Sequence, residues 1–158
     1  RTSFCVRVAI EPILPRAYDP PVRLALAAAV LFALSGSGVA AAAFVQFRTP
    51  SGNIGCAYGA IRGSGSLRCD ILSGLKPRPP KPHGCDLDWG FGFTLAPTGR
   101  ARVVCAGDTA VDRRAKALRY GHTWSRGGLT CTSRIGGLRC TNRSGHGFLL
   151  SRLRSFRF

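Results

Sequence analysis

From residue 44 onward, apolar side chains recur in short runs with a period of two. Trp89, Phe91, Phe93 and Leu95 alternate with Gly90, Gly92 and Thr94, a spacing that puts the four large side chains on one face of a strand. Pro97, Thr98 and Gly99 predict a turn, with residues 101–106 returning as a second strand; a turn centred on Thr98 sets Cys105 opposite Phe91. Two other segments copy each other. Cys56-AYGAIRGSGSLR-Cys69 and Cys131-TSRIGGLR-Cys140 both carry internal glycines and end in Leu-Arg-Cys, which reads as a β-hairpin stapled across its strands. For Cys131 to face Cys140 the turn must centre between Ile135 and Gly136, in a loop over residues 134–137 where Gly136 and Gly137 supply positive φ. For Cys56 and Cys69 the centre falls between Arg62 and Gly63.

Elsewhere the pattern is weaker. Residues 108–118 form the one helix candidate: Thr109 and Asp112 have capping-box spacing, and Val111, Ala115 and Leu118 recur on one helical face. Residues 76–83 (KPRPPKPH) hold too many prolines for a strand ladder and read as an extended polyproline linker. Residues 147–158 predict a terminal strand with Phe148, Leu150, Arg152, Arg154, Phe156 and Phe158 on one side. The fold class expected is all-β, a small barrel- or sandwich-like domain of three hairpin units, with Trp124, Phe148 and Leu150 joining the aromatic strand in the core.

Upstream the pattern changes. Arg23 precedes an apolar run over residues 24–34 and a small-residue stretch over 35–43. The run is shorter than the roughly 20 residues a membrane-spanning helix needs, and its layout is that of an export signal. Three regions follow: a mis-assigned or disordered leader at 1–21, a signal peptide at 22–43, and a single secreted domain at 44–158, with cleavage near Ala41–Ala43. Val22 sits where a GTG-initiated signal would begin.

Charge sharpens this picture. The chain carries 23 basic and 7 acidic residues, of which 20 are Arg and 3 Lys; from Phe44 on there are 19 basic and 5 acidic groups, a formal +14. Such an excess attracts polyanions and also keeps a small domain soluble. Arg139, Arg143, Arg152, Arg154 and Arg157 fall in one C-terminal stretch without an acid. They are the expected binding residues, because a guanidinium grips phosphate or carboxylate oxygens in pairs. The expected partner is an anionic envelope polymer or other polyanion.

Six cysteines remain in the secreted part, and an even number in a short exported chain predicts disulfides. Cys85 pairs with Cys105 once the two hairpins are closed. Zinc is disfavoured: there is no C-x-x-C, and His83, His122 and His146 lack ligand spacing. No metal or cofactor is expected.

Enzyme signatures are thin. No G-x-S-x-G, H-E-x-x-H or phosphate-loop glycine pattern occurs after residue 44, and the reading leans away from an enzyme. Two alternatives stay open: a secreted hydrolase, using His122 and His146 on a phosphodiester or Asp86 and Asp88 on a glycan, and a protease inhibitor built on residues 76–83.

Several segments carry a family resemblance in order and spacing: TPSGNIGC at residues 49–56, RCDI at 68–71, CAGDT at 105–109 and SGHGF at 144–148. Together they resemble an uncharacterised actinobacterial family of short secreted proteins, a domain of unknown function. That resemblance implies secretion and six cysteines, and brings no activity or site. The function favoured is non-catalytic binding at or outside the cell envelope.

Overall fold

The computed structural model describes residues 43–61 and 64–158, with the side chains of 61 and 64 left aside; the leader and signal peptide fall outside them, apart from Ala43. Eleven strands make up the regular structure, and no helix occurs among the described residues. They are β1 (Ala43–Arg48), β2 (Ile54–Ile61), β3 (Ser64–Ile71), β4 (Trp89–Leu95), β5 (Arg102–Cys105), β6 (Lys116–Ala117), β7 (Thr123–Arg126), β8 (Leu129–Arg134), β9 (Gly137–Asn142), β10 (Gly147–Leu150) and β11 (Phe156–Arg157). The first sheet has the order β5-β4-β3-β2-β1-β6, the second β11-β10-β9-β8-β7. Every pairing is antiparallel except β1 with β6. Two open sheets, rather than a closed barrel, share the core.

Alternation supplies that core. Ile54, Cys56 and Tyr58 on β2, Leu67, Cys69 and Ile71 on β3, Leu129 and Cys131 on β8, Leu138 and Cys140 on β9, and Phe148 and Leu150 on β10 are all buried. Phe93 meets Phe148 across the sheets at 5.4 Å between ring centres. Trp124, half-buried, lies 5.0 Å from Phe47 and 5.6 Å from Tyr58. Each fully buried leucine or phenylalanine contributes about 1.5–3 kcal/mol.

Disulfides join Cys56 to Cys69, Cys85 to Cys105 and Cys131 to Cys140. In both stapled hairpins the cysteines are direct cross-strand partners. The sulfurs of Cys69, Cys131 and Cys140 lie within 4.8 Å of one another, so the two staples touch where the sheets meet. These sulfurs are committed to S–S bonds, and their cluster is a packing contact.

Four expectations are corrected. The segment over 108–118 is an extended strap, because its polar groups are already engaged across the sheet. Arg68 donates to the Asp108 carboxylate at 2.7 Å and carbonyl at 2.6 Å, Ala110 N–H donates to the Asp70 carboxylate at 2.8 Å, and Lys116–Ala117 pairs with β1. Gly55 lets the strap lie directly on β2, where a Cβ would meet the Val111 backbone.

Trp89 and Phe91 do not share the core face with Phe93 and Leu95. An irregularity between Trp89 and Phe93 shifts the register and sets Cys105 opposite Trp89; Gly90, at φ +82, takes a conformation L side chains avoid. The rings then hold the proline-rich segment on the outer face. The Trp89 indole donates to the Pro79 carbonyl at 3.1 Å, and the Arg78 guanidinium lies 4.6 Å from the Phe91 ring centre.

The β8–β9 loop is shorter than expected. Arg134 pairs with Gly137, leaving Ile135 and Gly136 as a two-residue tip, and of the two glycines only Gly137 has positive φ. The terminal segment is two strands, not one. Ser151 Oγ accepts the Leu153 N–H at 3.1 Å and Ser155 N–H donates to the Lys76 carbonyl at 2.6 Å, which folds residues 151–155 into a turn. Phe148 and Leu150 therefore enter the core while Phe156 lies on the opposite face of the sheet.

Candidate anion-binding face

The outer face of the second sheet presents two lateral rows. Cross-strand register aligns Thr123, Thr132, Arg139, Leu149 and Phe156 in one. The other holds Ser125, Thr130, Thr141 and Gly147, continued by Phe158, whose backbone exchanges both hydrogen bonds with Gly147. Hydroxyls bond in pairs here, Thr123 with Thr132 at 3.2 Å and Ser125 with Thr130 at 3.1 Å. A hollow of about 590 Å³ runs beside Thr132, Arg134, Arg139 and Leu149.

At the β9–β11 edge the basic and aromatic side chains interleave. The Arg139 guanidinium lies 3.9 Å from the Phe158 ring centre, Phe158 lies 6.1 Å from Phe156, and Arg154 lies 5.5 Å from Phe156. The Phe158 ring also rests on Gly147, whose missing Cβ leaves room for it. The ring thus lies between Gly147 and the Arg139 guanidinium, and Arg139 is exposed. An arginine held this way loses less rotamer freedom when it meets an anion.

The five expected binding arginines are all exposed, and among the described residues none has an acidic partner. Arg139 and Arg154 gather around Phe156 and Phe158, whereas Arg157, opposite Phe148, lies on the other face of β11. Arg157 donates to the Ala101 carbonyl at 3.2 Å and lines a 370 Å³ pocket with Arg100, His146 and Phe158. Arg143 is placed apart: its N–H donates to the Pro97 carbonyl at 3.2 Å and its side chain packs on Gly128. Arg152 belongs to the loop end of the molecule, in a 390 Å³ pocket with Arg48, Arg113 and the 50–53 loop. Sequence reasoning missed Arg48 and Arg113, which come from distant strands and loops. It also missed Phe158 as a partner of Arg139, for which the signal was its alternation with Phe156.

The histidines and acids weighed for catalysis are not assembled. His146 sits in a turn organised by Asn142, whose Oδ1 accepts the N–H groups of Ser144 and His146 at 3.1 Å each and whose Nδ2 donates to the carbonyls of Ala96 and Gly99. His122 is on another loop, its carbonyl accepting the Ser133 N–H. Asp88 borders a 300 Å³ pocket with Arg68, Asp70 and Asp108, and Asp86 does not. Asp70, buried, spends its oxygens on Arg68 Nε and Nη2 and on Ala110 N–H, which makes it a clasp for the strap. The hydrogen bond from Arg68, then its charge, holds the Asp108 carboxyl below the usual range. Burial opposes the charged form of Arg68, and the bonds to Asp70 and Asp108 outweigh it, raising that group further.

Among the described residues no helix is long and apolar enough to cross a membrane. No curated protein and no solved structure matches the chain. A family model does match, over residues 25–158: the chain belongs to DUF6636, a family of unknown function.

Proposed function

We propose that this is a non-catalytic binding protein that works outside the cytosol, at or beyond the cell envelope, and holds an anionic polymer on the open face of its second sheet. The observation that carries the reading is the Arg139–Phe158–Phe156–Arg154 ladder: exposed guanidiniums set on aromatic rings, flanked by hydroxyls, with no acidic side chain ion-paired to them among the described residues. Three disulfides support an oxidising compartment, and the apolar run at residues 24–34 supports export.

Polyanion binding of this kind is driven by counterion release, so its affinity falls steeply with salt. Titration of heparin and duplex DNA against neutral dextran, each at two ionic strengths, tests it. Binding to both polyanions that weakens with salt, and none to dextran, is expected. Equal affinity for dextran, or no polyanion binding at low salt, overturns the reading.

A further inference from the structure

At one end of the sandwich two turns carry bare apolar tips. Ile135, in the two-residue β8–β9 loop, is 87% exposed, and Leu153, in the turn between β10 and β11, is 88% exposed. They line one pocket of about 340 Å³ together with Tyr120, Ser51, Arg134 and Arg152. The adjoining pocket, which shares Ser51, Asn53 and Arg152, adds Arg48 and Arg113. Neither pocket is lined by an acidic residue.

Both tips are held. Ile135 stands on the last rung of a hairpin stapled at Cys131–Cys140. Leu153 stands on a turn whose feet, Ser151 and Ser155, are buried, with Ser155 Oγ donating to the Ser151 carbonyl at 3.5 Å. An arginine flanks each tip: Arg134 before Ile135, and Arg152 and Arg154 around Leu153.

We infer that this loop end docks the protein onto an anionic lipid bilayer. Ile135 and Leu153 enter the headgroup–acyl boundary as a two-point wedge, Tyr120 sits at the interface with its hydroxyl in water, and Arg48, Arg113, Arg134 and Arg152 meet lipid phosphates while their stems cover apolar surface. A soluble polyanion satisfies the arginines and leaves the two most exposed aliphatic side chains of the described residues in water. A bilayer takes both. This surface goes beyond the polymer-binding face: it shares Arg134 with the hollow there, but Ile135 and Leu153, on which it turns, are no part of the arginine–phenylalanine ladder, so the two readings fail separately.

Co-sedimentation with vesicles tests it, using phosphatidylcholine alone and an equal mixture with phosphatidylglycerol. The wild-type chain should bind the mixed vesicles well above phosphatidylcholine. The apolar run at residues 24–34 is common to all variants, and the phosphatidylcholine arm reads what it contributes. The Ile135→Ser/Leu153→Ser variant should lose about tenfold per side chain in partitioning, and Arg152→Ser about fivefold on mixed vesicles only. Heparin affinity should stay unchanged in the double variant, which also reports that it is folded. Wild-type partitioning by the double variant, or equal binding to both vesicle types, overturns the proposal. So does a parallel loss of heparin binding in a variant of unchanged thermal stability, which assigns the loop end to the polymer.

Discussion

Arg68 and Arg139 occupy the same place in the two stapled hairpins, one residue before the second cysteine, and end with opposite partners. In both, leucine and cysteine point inward and are fully buried, Leu67 with Cys69 and Leu138 with Cys140, so the arginine between them points out. Two residues further on, the first sheet has Asp70 and the second has Thr141. Asp70 fixes Arg68, and with it the strap that covers the outer face of the first sheet. With threonine in that place, Arg139 turns to Phe158, and among the described residues no strap is clasped over its sheet. One acidic side chain thus separates an arginine clasped into the fold from one with no acidic partner among the described residues.

The largest effect expected from perturbing this comparison is at the disulfides. Loop length alone ranks Cys85–Cys105, with a separation of 20, above Cys56–Cys69 at 13 and Cys131–Cys140 at 9. The two short bridges are fully buried where the sheets meet, whereas Cys105 is exposed. Replacing Cys131 and Cys140 by alanine should therefore destabilise by about 4 kcal/mol, staple and packing combined, and replacing Cys85 and Cys105 by about 2 kcal/mol. Denaturant midpoints decide the order, and the reverse order would assign the stability to loop closure.

Asp70→Ala comes next. It strips Arg68 of its buried partner and leaves the Ala110 N–H without an acceptor, at a cost of about 3 kcal/mol by urea unfolding. Hydrogen exchange should show the strap at residues 108–111 opening first.

Thr141→Asp sharpens the comparison from the other side. An acid two residues after Arg139 reproduces the Arg68–Asp70 spacing, draws the guanidinium off Phe158 and should weaken heparin binding about tenfold with stability within about 0.5 kcal/mol of wild type. Phe158→Ala removes the ring instead of the charge and should cost about threefold in the same titration, the worth of an exposed cation–π contact.

The smallest effect is in acid. Asp108 is held below its unfolded pKa, so its contribution is present above about pH 4 and is lost as pH falls through the folded value. Arg68, raised from an already high value, stays charged in both states throughout the acidic range and adds no slope there. Acid titration followed at the strap should show this step in wild type and lose it in Asp108→Asn.

How far the sequence was readable follows the same division between local and distant causes. The hairpin registers at Cys56–Cys69 and Cys131–Cys140 were legible, since alternation and glycine tips act within a dozen residues. The strap was not. Its helix-like spacing over 108–118 is overridden by Arg68 and Asp70, forty residues away in sequence. Trp89 and Phe91 read as core because a two-residue period says nothing of the irregularity at Gly90 that turns them outward. Of the arginine patch, Arg139 and Arg154 converge; strand alternation turns Arg157 to the other face, toward Ala101, the turn pinned by Ser151 and Ser155 sends Arg152 to the loop end, and the Asn142 turn carries Arg143 away. Sequence proximity marked the charges, and the turns decided which of them meet.

The most direct measurement is the salt dependence of heparin affinity in three proteins: wild type, Arg139→Ser/Arg154→Ser, and Arg78→Ser. Arg78 is the control, an arginine that also rests on a phenylalanine ring but on the first sheet. The plot of log affinity against log salt should lose about one unit of slope per arginine removed from the second sheet, and Arg78→Ser should keep the wild-type slope. Equal loss in both variants, or wild-type slope in the double variant, would contradict a binding surface on the open face and return its arginines to a solubilising role.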